Sequence, residues 1–471
     1  RADKDGCPTS PQVLYIAAAA DCSYVKNFGN KTQALAQILN DFNLASAVYK
    51  RTFNLALGLI KVTLMDVCST GTTTTPWNQD CGDNGYAISE RLSDFSKWRG
   101  TSEATVSNSK VQPGAWHLLT KCNSGASVGV AWVGQVCNAE AKYQEDASSS
   151  LGSAAGGQWV SGVAVSAIVP NTWKTIAHEQ GHLFGAIHDC TTSSCPCISA
   201  SSCGCLPCDN QCNCDGAYIM NPTDDSSTND FSPGSIRTIC SNVRTLATCL
   251  QSADAAVTTI AAGICGNGIR EAGEECDCGS DCATDSCCDG PSCKLKSGAK
   301  CDDYNDSCCK SCQFMPRDTV CRPSTGYCDI QEVCTGTTGA CPSDTFRENG
   351  ETCQTTAGIA AECVSGVCTS RDLQCTSNST LVRTNGVCPG QSKTCQLLCS
   401  QTGASNVCVK LNGYMIDGTP CGSGGHCKAG ECTGMSAFDK LRSFYIDSPQ
   451  IAIPVTVVIG LLLLGLIYSC C

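Results

Sequence analysis

Three of the five histidines in the chain fall between Thr175 and Cys190, in the stretch T-I-A-H-E-Q-G-H-L-F-G-A-I-H-D-C. His178 and His182 are spaced i, i+4, so on a helix they share one face and can grip a single ion. Gly185 lets the chain leave the helix and turn back, because glycine tolerates positive φ. His188 then arrives as a third imidazole. Three neutral nitrogen ligands leave a fourth position for water, which is the arrangement of a catalytic zinc rather than a structural one. Zinc lowers the pKa of a bound water towards neutrality and polarises a carbonyl. Glu179 directly follows the first histidine. It is placed to take a proton from that water and pass it to a leaving amine. The chemistry implied is hydrolysis of an amide bond.

Such a site needs a rigid frame. A helix is expected from about Thr172 to Phe184, with Asn171 as its cap and Pro170 stopping the strand before it, 161–169. Residues 11–19 read as a buried strand. Leu35, Ile38, Leu39 and Phe42 recur at helical spacing, so 31–50 is expected to be a long amphipathic helix. Residues 55–66 read as a second buried strand, 89–98 as a second helix and 116–120 as a further strand. This order predicts an α/β domain with a largely parallel sheet. The glycine-rich run S-V-G-V-A-W-V-G at 127–134 is read as an edge strand along which an extended substrate lies. His117 and His426 stand alone and receive no role.

The 44 cysteines among 471 residues place the chain outside the reducing cytosol; apart from Cys470 and Cys471 at the extreme end, the other 42 are expected to be paired. Eight lie within 190–214. They are read as a disulfide-clamped loop beside the zinc helix rather than as a second metal site. Fifteen more lie from Cys265 to Cys341 among glycines and aspartates with little apolar periodicity. That is a scaffold held by staples. The expected organisation is a protease domain at 1–254, a disulfide-rich, loop-dominated domain at 255–350, a cysteine-rich region at 351–434, a stalk at 435–450 and a membrane helix at 451–468. The last segment holds 18 residues without a charge, just enough to span a bilayer. Lys440 and Arg442 would by themselves place the wrong end in the cytosol. The disulfide-rich region overrides them and implies a single-pass type I protein of the cell membrane with its catalytic domain outside. The chain opens on Arg1 without an apolar leader, as expected of a mature form freed from a pro-segment. Asn30, Asn305 and Asn378 begin N-x-S/T sequons. A net charge of −12 argues against nucleic acid as a partner.

The pattern H-E-x-x-H-x-x-G-x-x-H resembles the zinc signature of metzincin proteases. Y-I-M-N-P at 218–222 fits their methionine turn, and the resemblance implies that Met220 forms the floor beneath the metal without ligating it. C-G-N-G-I-R-E-A-G-E-E-C-D-C-G at 265–279 resembles the opening of a disintegrin domain, and V-C-R-P-S-T-G-Y-C-D-I-Q-E-V-C-T-G at 320–336 resembles its loop and sequel. Together they resemble the disintegrin-and-metalloproteinase (ADAM) family of reprolysin-type enzymes. The short loop before the methionine turn and the 127–134 strand are similar to the tumour-necrosis-factor-converting type. The resemblance implies release of ectodomains from cell-surface proteins. It also implies structural calcium at Asn267, Glu271, Glu274 and Asp277, and at Asp329, Glu332 and Asp344. Hard oxygen ligands suit calcium. The loop at 322–327, R-P-S-T-G-Y, holds no R-G-D, so integrin binding is not expected. The alternative function is an inert adhesion protein built on the disintegrin and cysteine-rich domains. It is disfavoured because His178, Glu179, His182 and His188 are all intact.

Overall fold

The computed structural model describes residues 6–434 apart from 71–73, 83–85, 102–103, 107–110, 124–126, 146–156, 196–203, 209–211, 224–225, 253–258, 261–265, 267, 271–272, 280–281, 356, 378–383, 392, 423 and 429. Beyond 434 it describes only Gln450, Pro454 and Thr456. The chain divides into two compact units, Arg1–Thr325 with Gln331–Thr345, and Gly326–Ile330 with Phe346–Cys471.

The first unit begins with the expected strand β1 (Gln12–Ala20), then a short helix α1 (Cys22–Asn27) and the long helix α2 (Lys31–Phe53). Strand β2 (Leu55–Leu64) and helix α3 (Ile88–Arg99) follow, then β3 (Ala115–Thr120), β4 (Gly129–Ala131), β5 (Lys142–Gln144), β6 (Gln158–Val160) and β7 (Val163–Ala167). Helices α4 (Thr172–Leu183) and α5 (Pro233–Leu246) and the short strand β8 (Gln251–Ser252) complete the domain. The sheet order is β2-β1-β3-β7-β4, with β8 against the start of β1. The pairs β1–β2, β1–β3 and β3–β7 are parallel; β4 runs antiparallel to β7 at the end of the sheet. The mixed, largely parallel sheet is therefore as expected, but the edge strand is three residues rather than the eight read from the sequence.

Alternation along β1 explains the two layers of core. Leu14, Ile16, Ala18 and Ala20 face a cluster with Phe42 and Tyr49 of α2, Ile176 of α4 and Ile239 of α5. Ala17 and Ala19 face the opposite cluster, with Trp116, Val163 and Leu92, Phe95 and Trp98 of α3. Helices thus cover both faces, as a parallel sheet requires. Helix α2 starts where the Asn30 side chain accepts the Gln33 N–H, and ends at Asn54 with φ 58°. Helix α5 has a serine cap at Ser232 and a proline in its first turn, a start signal that the sequence reading passed over.

In the first unit the disintegrin-like segment rests on the protease sheet. Ile269 packs with Val13, Tyr15 and Ala56. Lys50 Nζ donates to Gly268 O at 2.7 Å and lies 3.6 Å from the Tyr304 ring centroid. From 276 onwards regular structure shrinks to short strand pairs between disulfides such as Cys276–Cys288, Cys287–Cys312 and Cys308–Cys334. In the second unit, Leu397 and Met415 are buried among Cys375, Cys395, Cys399, Cys421 and Cys427. Among the described residues no helix is long and apolar enough to cross a membrane, and 451–468 lies almost wholly outside them.

Candidate metal centre

Helix α4 delivers two imidazoles to one place, as the spacing demanded. Its start differs from expectation. The Asn171 side chain makes no cap bond. Thr172 takes over, its Oγ1 donating to Val169 O at 2.8 Å and accepting from Val169 N. The far end closes in a Schellman motif, with Ala186 N–H bonded to Gly181 O and Gly185 N–H to His182 O. Gly185 has φ +92°, and a Cβ there would fall 2.3 Å from Asn242 Nδ2. That amide comes from α5 and donates to Phe184 O at 3.1 Å, satisfying a helix-end carbonyl.

The three histidines converge. The ring centroids are 4.7 Å apart for His178–His182, 5.1 Å for His178–His188 and 4.9 Å for His182–His188. His178 Nδ1 donates to Ile219 O at 2.6 Å, and His182 Nδ1 donates to Ala186 O at 2.8 Å. These carbonyl partners fix the tautomer and leave each Nε2 as a bare acceptor. The two Nε2 atoms lie 3.0 Å apart, where neither can donate to the other. A shared cation satisfies both, and two ligands of a tetrahedral zinc stand at about this separation, roughly 3.3 Å. The donor set fits zinc. Burial holds His178 well below the ordinary imidazole range and lowers His182 to about 3, so both stay neutral and ligand-ready.

Met220 is fully buried, and a Cβ on Gly181 would come within 2.6 Å of its Sδ. The methionine thus packs against α4 at Gly181, between the two helical histidines. Asp189 fixes this turn. Its N–H donates to Met220 O at 2.8 Å, and its Oδ1 accepts from Ser232 Oγ at 2.6 Å and Ser235 Oγ at 2.8 Å.

Glu179 is buried, and burial pushes its carboxyl well above the usual range. Its Oε1 rests against β4, where a Cβ on Gly129 would lie only 2.2 Å away. Among the described residues its Oε2 has no hydrogen-bond partner. Gly129 was legible only as a glycine in a strand; its role as a seat for Glu179 depends on packing. His117 also acquires a place. It is buried between Ser166 Oγ, which accepts from its Nε2 at 2.8 Å, and Gln180 Nε2, which donates to its Nδ1 at 3.0 Å. Burial lowers it to about 3. It braces α4 against β3 and β7.

The cysteine-dense insert forms the bonds Cys190–Cys205, Cys195–Cys212 and Cys208–Cys214. These sulfurs are disulfides and offer no thiolates to a metal. The acidic residues named for calcium behave differently from one another. Asn267 and Glu271 lie outside the described residues. Glu274 Oε1 is 3.0 Å from Cys293 Sγ. Asp277 spends both oxygens on backbone, accepting from Gly268 and Gly279 through Oδ1 and from Gly266 through Oδ2. Glu332 is paired with Arg322 Nη1 at 2.8 Å and also accepts from Thr345, while Asp344 lies 3.6 Å from the same guanidinium. Asp329 is buried. Of the sequons, Asn30 is exposed; its Oδ1 caps α2 by accepting from Gln33 N–H, and its Nδ2 donates to Gln33 Oε1 at 3.3 Å. Asn305 is half-buried and accepts from Asp277 N at 2.6 Å. Asn378 lies outside the described residues.

Residues 10–232 match metallo-peptidase family M12, and 271–344 match the disintegrin family. The chain is 42% identical over 441 residues to disintegrin and metalloproteinase domain-containing protein B of Aspergillus fumigatus, covering 91% of this chain and 53% of that one. It is 34% identical over 472 residues to the zinc metalloprotease mde10 of Schizosaccharomyces pombe, covering 95% and 86%. It is 29% identical to the zinc metalloproteinase-disintegrin-like brevilysin H2a of Gloydius brevicauda, covering 77% and 74%. The chain spans little more than half the length of the fungal B-type relatives it matches.

Proposed function

The chain belongs to the disintegrin-and-metalloproteinase family, a branch of metallo-peptidase family M12, and on that premise we propose that it is a zinc-dependent endopeptidase acting on extracellular or cell-surface proteins. One observation carries the reading. His178 and His182 direct bare Nε2 atoms at one point, with His188 alongside and Glu179 on the same helix. His178, His182 and His188 would hold a zinc ion, which would supply Lewis acidity to a scissile carbonyl and acidify a water. Glu179, whose Oε2 has no hydrogen-bond partner among the described residues, would accept a proton from that water and donate one to the leaving amine. Strand β4, at the end of the sheet and against Glu179, offers its free edge to an extended peptide.

The reading extends to membrane anchorage. Residues 451–468 are uncharged and long enough to span, and the disulfides before them belong on an oxidising face. Anchorage favours substrates on the same surface through local concentration, which is the basis for proposing ectodomain release. Calcium in the disintegrin domain and glycans at Asn30, Asn305 and Asn378 remain part of the proposal. The relatives reported come from fungi and from Gloydius brevicauda, so no affiliation to the tumour-necrosis-factor-converting type is carried further. The decisive experiment is Glu179→Gln. The variant is expected to keep zinc and thermal stability while kcat/KM for a peptide falls by ~10³-fold or more. Cleavage at the parent rate would remove Glu179 from the chemistry.

A further inference from the structure

We propose that Leu206 and the Cys190–Cys205 disulfide, in the described part of the cysteine-dense insert, clamp the third zinc ligand, so that retention of zinc depends on the Cys190–Cys205 bond. The inference rests on the zinc reading above and deepens it. His178 and His182 are positioned by α4, whose two ends are tied down by Thr172 and Asn242. His188 lies beyond the helix, exposed, on chain with no regular structure. It must be held some other way if three imidazoles are to meet at one ion.

The insert provides the hold. Leu206 N–H donates to His188 O at 2.8 Å, and Leu206 O accepts from Cys190 N–H at 2.8 Å. Leu206 therefore forms a parallel bridge with Asp189, the residue between those two. The opposite side of the same segment is gripped by Asp189 N–H bonding to Met220 O. Cys190 and Cys205 are the direct chain neighbours of the bridged pair Asp189 and Leu206, and their disulfide locks it. Cys214 N–H bonds to Cys190 O at 2.9 Å, and Cys208–Cys214 ties that strand back to the insert. Cys190, Cys205, Leu206 and Cys214 are all buried, so the clamp is packed structure rather than a surface flap. Groups that orient a metal ligand in this manner govern metal affinity by about 10–100-fold.

The test compares full-length chains. Zinc-loaded parent, Cys190→Ser/Cys205→Ser, Leu206→Pro and Cys22→Ser/Cys68→Ser are titrated with a chelator of known zinc affinity, and bound zinc is counted by atomic absorption. Leu206→Pro removes the donor to His188 but leaves the disulfide, so it carries the test if the double variant does not fold. Cys22–Cys68 joins α1 to the segment after β2 and serves as the comparison disulfide. The clamp variants are expected to lose half their zinc at ~10–100-fold lower chelator than the parent. Amide exchange at 186–190 in the metal-free protein should rise with them, while the comparison variant behaves as the parent. Parent-like zinc retention in the clamp variants, or equal loss from the comparison variant, overturns the clamp. A parent that binds no zinc overturns the zinc reading itself, a distinct result.

Discussion

The protease sheet and the region from Cys276 to Cys432 are held together by different physics. In the former, β1, β3 and β7 are buried along almost their whole length and covered by aromatic and aliphatic residues on both faces. Seven described disulfides join parts of this domain, but the strands that carry the frame contain none of the cysteines involved. In the latter, twelve described disulfides punctuate strands mostly of two to six residues, and half-cystines themselves make up most of the buried clusters. The difference teaches that a metal site demanding sub-ångström placement sits on cooperative apolar packing. A spacing or binding region can instead be stapled, because cross-links limit the unfolded chain without a large core. The insert at 190–214 is the exception inside the protease domain, a stapled piece applied where the helix has already ended.

That contrast can be broken experimentally. Its largest expression should come from reduction. In a thiol reductant at neutral pH, amides from 276 to 432 are expected to lose hydrogen-exchange protection, while those of β1, β3 and β7 keep most of theirs. Equal loss in both regions would show that the sheet, too, depends on its cross-links. Next in size is Phe42→Ala. Phe42 is 1% exposed in the main core, and its truncation should cost about 3–5 kcal/mol in denaturant unfolding of the protease domain. Unfolding of the stapled region, followed in the same sample, should not move.

A smaller effect sharpens how closely packing serves chemistry. Gly129→Ala would force the Glu179 carboxylate off its seat. It is expected to lower kcat on the order of 10²-fold with zinc content unchanged. The smallest effect is electrostatic. Burial pushes the Asp41 carboxyl up to about 6 against a lowering hydrogen bond from Gln37. The folded state then holds this proton more tightly than the unfolded state, whose aspartate titrates near about 4. The contribution of Asp41 to stability should therefore weaken as pH rises from about 4 to about 6. Asp41→Asn should flatten that slope and raise stability at pH 7 by on the order of 2 kcal/mol. Thermal unfolding of both forms across the interval measures it.

The convergence of His178 and His182, with Glu179 beside them, was readable because their spacing is local, whereas Met220 was named only through the resemblance. Two histidines four apart on a helix face one way whatever surrounds them, and Gly185 announces the turn that returns His188. The strands β1, β2, β3 and β7 were readable from continuous apolar runs. The sequence by itself therefore determined the grouping of the histidines and the frame of the sheet, and its cysteine content led to the expectation of an oxidising compartment. Only the tertiary structure decided what holds the site in register: Ile219 O and Ala186 O on the imidazoles, Asn242 on the end of α4, Ser232 and Ser235 on Asp189, and Leu206 on His188. It also turned Glu332 and Asp344 towards Arg322 and set the pairing of the cysteines. Most of these contacts join residues far apart in the chain. Backbone carbonyls, serines and half-cystines carry no local mark of their partners, so each pairing exists only once the core has brought the segments together.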